Sequence, residues 1–106
     1  MKISSQLFFR AIIVEYLEDL GFTLRSQIIP MLSFVPQLFI ICDFENIRVK
    51  VGIKTVHVYD KSQKSDLDKL KVYVKYNETR SLDKVRDAVN ELLNKELCLA
   101  KLKGNR

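Results

Sequence analysis

Between Ile47 and Tyr76, basic residues alternate with apolar ones at strand spacing, and this constrains the chain more than any other feature. Ile47, Val49, Val51 and Ile53 fall on one side of an extended chain; Arg48, Lys50 and Lys54 fall on the other. Farther on, Leu70, Val72, Val74 and Tyr76 alternate with Lys69, Lys71, Tyr73 and Lys75. Side chains of a strand point to opposite faces with a period of two. The pattern therefore predicts a sheet with one buried face and one cationic, tyrosine-bearing face. Val56 and Val58 are apolar at even positions, whereas the preceding strand is apolar at odd ones. A one-residue slip would turn the whole apolar set outward, so a bulge or tight turn between Gly52 and Thr55 must reset the register. With that reset, His57 and Tyr59 join the basic face.

A sheet with one apolar face needs a covering layer, and helical spacing supplies it at both ends. Phe9, Ile13, Tyr16, Leu17 and Leu20 recur three and four residues apart, and Phe8, Ala11, Ile12 and Val14 widen the stripe. This predicts a helix capped by Ser4 or Ser5, running to about Leu20 and stopped by Gly21. Leu82, Val85, Val89, Leu92, Leu93 and Leu97 form the inward stripe of a second helix, predicted from Leu82 to about Leu99 with Ser81 as its cap. Glu91 and Lys95 stand four apart on it as a favourable ion pair.

Phe22 to Ile29 reads as a strand ended by Pro30, Met31 to Pro36 as a loop, and Gln37 to Phe44 as a strand apolar on both faces. A strand of that kind lies centrally and is covered on both sides. Two helices on one face leave its other side bare, which implies dimerisation or a covering loop. Glu45-Asn46 turns the chain, and Asp60 to Asp68 reads as a solvated loop. The expected fold is a two-layer α+β domain over residues 1–100: an N-terminal helix, about four antiparallel strands and a C-terminal helix. Residues 101–106 read as a basic tail.

The chain has 106 residues, enough to bury roughly two-thirds of its unfolded surface as one domain. The formal net charge of +5 admits nucleic acid, anionic surfaces or acidic proteins as partners. Cys42 and Cys98 lie within apolar runs and His57 is the only histidine, so a Cys/His zinc site is excluded, the thiols read as small buried hydrophobes and the lone histidine as structural or solvated. Arg10 and Glu15 interrupt the N-terminal apolar stretch, which is not expected to be a secretion signal. Ile28 to Cys42 is shorter than the roughly 20 residues a membrane span needs. An intracellular location, with no membrane association and no cofactor, is the expectation.

The helix–strands–helix order, with Glu15 on the first helix and Asp43 at a strand end, resembles that of restriction-endonuclease-like nucleases. Their chemistry needs a carboxylate pair to hold Mg²⁺ and a lysine just beyond the second carboxylate, and the strand Ile47-Arg-Val-Lys50-Val has no acid. The order also resembles the double-stranded-RNA-binding domain. The second helix opens Ser81-Leu-Asp-Lys84, however, without the glycine-rich, double-lysine start of that family. No family is assigned. The expected activity is non-catalytic binding of DNA or RNA, with Arg48, Lys50, Lys54, Lys69, Lys71 and Lys75 contacting phosphate and Tyr73 stacking on bases. The alternative is a homodimeric adaptor that docks an acidic protein partner.

Overall fold

A computed structural model describes residues 5–29, 37–65 and 69–104. Helix α1 (Ser5–Asp19) is followed by strands β1 (Thr23–Ile29), β2 (Gln37–Phe44), β3 (Ile47–Val51), β4 (Thr55–Asp60) and β5 (Leu70–Lys75), then helix α2 (Ser81–Gly104). The strands form one antiparallel sheet in the order β1-β2-β3-β4-β5. The α+β architecture is the expected one, with five strands rather than about four. The expected strand Ile47 to Ile53 ends at Val51, and a turn over Gly52 to Lys54 leads into β4, closed by Gly52 N–H donating to the Thr55 carbonyl at 2.9 Å. This turn resets the parity. The expected loop at Met31 to Pro36 lies outside the described residues, as does Ser4.

Burial follows the alternation. Val49, Val51, Val56, Val58 and Val74 face the helices and are fully buried with Ile13, Leu17, Val85 and Val89. Helix α1 lies over β2 and β3, and α2 over β3, β4 and β5. The helices meet where the Tyr16 hydroxyl donates to Asn90 Oδ1 at 3.2 Å and Arg86 lies over the Tyr16 ring. Every described side chain of β1 from Thr23 to Ile28 is exposed.

The end of α1 is closed as its glycine predicts. Gly21 has φ 97°, its N–H donates to the Glu18 carbonyl, and Phe22 N–H reaches back to the Leu17 carbonyl. Leu17 and Phe22 are both buried. This is a Schellman closure with its apolar contact. Ser81 is not a cap: its hydroxyl donates to the Tyr76 carbonyl, and the Arg80 carbonyl accepts the Lys84 N–H. Helix α2 continues past Leu99 to Gly104 because the added residues are good helix formers until the glycine. Leu97, expected inward, is 61% exposed, since α2 has by then run beyond the sheet.

One buried charge ties α2 to the sheet. Asp60 closes β4 on the helix side and accepts hydrogen bonds from Ser62 N–H and hydroxyl, from Gln63 Nε2 and from Lys95 Nζ at 2.9 Å. Lys95 thus serves Asp60, and Glu91 pairs with Lys71 at 3.0 Å, in place of the pair expected along the helix. Burial alone would raise the Asp60 pKa. Its hydrogen bonds from Ser62, Lys95 and Gln63 outweigh burial and hold it well below the carboxylate range. Because the folded-state pKa is depressed, this stabilisation is complete above about pH 4 and is lost as pH falls from there. Asp60→Ala should lower unfolding stability near neutral pH by about 1–3 kcal/mol, with the gap from wild type narrowing below about pH 4, as urea titrations across pH will measure.

Candidate functional site

The sheet face away from the helices carries the cations. Cross-strand register sets two rows there: Thr23, Asp43, Arg48, Tyr59 and Leu70, and beside it Arg25, Ile41, Lys50, His57 and Tyr73. Lys75 and Thr55 face each other in the next row, and Phe39 lies across Gly52. A Cβ on Gly52 would come within 2.9 Å of the Phe39 ring, so the glycine permits this approach. Ile41 is fully buried although neither helix lies on this side. It stands between Arg25 and Lys50, whose long stems suit the covering of apolar surface.

Three rings and a lysine occupy the middle of the face. His57 and Tyr59 lie nearly parallel, with centroids 6.1 Å apart, and His57 meets Tyr73 at 4.7 Å with the rings inclined by 60°. Lys50 Nζ sits 5.3 Å from the Tyr59 ring centroid, within cation–π range. Tyr73 is exposed and Tyr59 half-buried. Burial of the imidazole lowers the His57 pKa, and the Lys50 charge lowers it further. Nδ1 of His57 is buried without a hydrogen-bond partner, which a neutral ring tolerates better than a charged one.

The face also holds an acid. Asp43 accepts from Arg48 Nε at 2.7 Å, with Lys61 at 3.8 Å and Arg25 at 4.0 Å. Burial acts to raise its pKa. The Arg48 hydrogen bond, with the charges of Arg48, Lys61 and Arg25, overrides that and lowers it. Arg25 and Lys61, which sequence reasoning did not assign to the site, therefore stand on it. Their signal was the odd parity of Arg25 opposite Ile41 and the position of Lys61 one residue past β4.

Of the expected contact residues, Arg48, Lys50, Tyr73 and Lys75 share this face. Lys71 does not. The β4–β5 register shifts between Val58 and Tyr59, so that Val72 opposes Val58 while Leu70 opposes Tyr59. A bulge of this kind re-aims the extra residue, and Lys71 reaches Glu91 on α2. Leu70 takes its place beside Tyr59. Lys54 lies in the β3–β4 turn, where its carbonyl accepts the Tyr76 N–H, and Lys69 precedes β5.

The Cys42 thiol is pushed up to about 11 by burial and by the adjacent Asp43 charge, so it is not a thiolate nucleophile near neutral pH. Among the described residues, no group of three or more His, Cys, Asp or Glu is placed to hold a metal ion. No described helix is long and apolar enough to cross a membrane. No protein-family model, curated protein or solved structure matches the chain.

The single histidine makes the electrostatics of the face directly readable. Proton NMR should show the His57 imidazole titrating below 6.5, and Lys50→Gln should move its pKa upward by removing the charge while burial keeps it below the ordinary value. An unmoved titration in Lys50→Gln would separate the two groups.

Proposed function

We propose that this is an intracellular protein that binds unpaired nucleic acid on the open face of its sheet. The observation carrying this reading is the cluster of Lys50, His57, Tyr59 and Tyr73 on a face that neither helix covers. Tyrosine rings offer stacking surfaces that accept any base, and lysine and arginine neutralise phosphates with release of counterions. Lys50 sits between the rings and the Asp43 cluster, where it reaches a backbone crossing the strands. Arg25, Arg48 and Lys61 share one carboxylate, so that cluster carries a net positive charge in a fixed arrangement. The two cysteines, Cys42 and Cys98, are both free thiols, which suits a reducing compartment.

Lysine placement makes the reading selective. Lys50→Glu should weaken binding of labelled single-stranded DNA or RNA and reduce the slope of affinity against salt. Tyr73→Ala should cost about 1–3 kcal/mol per stacked base. Lys71→Gln should leave binding nearly unchanged, since Lys71 is engaged with Glu91 beyond the sheet. Fluorescence anisotropy near physiological salt measures all three. Equal affinities across wild type, Lys50→Glu and Tyr73→Ala would remove this function and leave the face to an acidic protein partner.

A further inference from the structure

We propose that the free edge of β1 joins two copies of this chain, β1 pairing antiparallel with its counterpart about Ser26 to make one continuous sheet. Strand β1 ends the sheet, so its outer N–H and C=O groups have no strand partner within the described chain. Such an edge templates pairing unless charges, proline or a covering element guard it. The two edges of this sheet differ in that respect. Strand β5 carries Lys71 and Lys75, whereas β1 has Arg25 as its one charge and neither lysine nor proline. Neither helix packs on β1 as they pack on the other strands, and its apolar side chains stay open to solvent: Leu24 is 36% exposed and Ile28 67%. Leu38, beside Ile28 on β2, is 40% exposed and extends the same strip.

What commits the edge to a second copy is its self-complementarity. A two-fold axis perpendicular to the sheet keeps the helices of both copies on one side. It therefore pairs residues whose side chains share a face. Centred on Ser26, it sets Leu24 opposite the partner's Ile28 twice, and Arg25 opposite the uncharged amide of the partner's Gln27 twice. Centring on Arg25 would oppose two like charges and leave Leu24 facing the partner's Ser26. Centring on Gln27 would face Ile28 with the partner's Ser26. Of these three central registers, the Ser26 one matches apolar with apolar twice, keeps like charges apart and pairs the greatest length of β1, which is the condition for stable cross-strand pairs. The pairing stands independently of nucleic-acid binding. It would also make the basic faces of the two sheets continuous across the axis.

Light scattering with size separation across the micromolar range tests this, with circular dichroism to verify folding. The wild-type chain should show twice its 12.4 kDa mass. Leu24→Lys and Ile28→Glu, both at exposed positions, should each shift the population to monomer. The combined L24K/I28E chain should recover the dimer in a salt-sensitive manner, because opposite charges then meet twice across the axis. In a Cys98→Ser background, Ser26→Cys should give a covalent dimer on mild oxidation, a readout that survives if one of the charged variants folds poorly. A wild-type monomer at every concentration overturns the proposal and leaves the edge open to a strand of another protein. Single variants as dimeric as wild type would overturn it too. Dimeric wild type without recovery in L24K/I28E and without the Ser26→Cys crosslink overturns the register.

Discussion

Everything in this molecule hangs on the apolar layer between the sheet and its two helices. Val49, Val51, Val56, Val58 and Val74 project from three adjacent strands onto Ile13 and Leu17 of α1 and Val85 and Val89 of α2, and all are fully buried. At roughly 1.5–3 kcal/mol for each such side chain removed from water, this layer outweighs every other contact in the structure. Because strands alternate, burying that set obliges Arg48, Lys50, His57, Tyr59, Tyr73 and Lys75 to face the other way. The candidate site is thus a by-product of core formation in its location, though not in its chemistry.

Two helices do not suffice to cover five strands. Helix α1 reaches β2 and β3, α2 reaches β3 to β5, and β1 extends beyond both. The molecule measures 55 Å along its longest axis and 30 and 25 Å along the others. The exposure of β1 and the absence of a helix over the basic face therefore have one origin among the described residues: too little helix for the sheet. The first presents backbone hydrogen-bonding groups and apolar side chains; the second presents charge and aromatic rings.

Charge on the sheet is sorted by local partners rather than by residue type. Arg48 is bound to Asp43 at 2.7 Å and Lys71 to Glu91 at 3.0 Å, while Lys50 lies over the Tyr59 ring. These lysines and arginines look alike along the chain, yet they differ in what they can still contact. Exposed ion pairs add little stability. Their effect here is to set which cations face solvent and in what arrangement.

The sequence by itself determined the helix–sheet–helix order, the parity reset near Gly52, the stop at Gly21 and the inward valines of β3 and β4, because these follow from local periodicity and backbone preference. It also placed Arg48, Lys50, Tyr73 and Lys75 on one face, for the same reason. Tertiary structure alone decided the rest. The β4–β5 bulge sends Lys71 to Glu91 and Leu70 to the outer face, which no count along β5 reveals because it depends on the facing strand. Asp43 gathers Arg25, Arg48 and Lys61 from separate segments, and Asp60 takes Lys95 away from Glu91, since pairing depends on which side chains meet across the fold. Leu97 is exposed because α2 outruns the sheet. Periodicity reports which way a residue points, but only the packed chain determines what stands there to meet it.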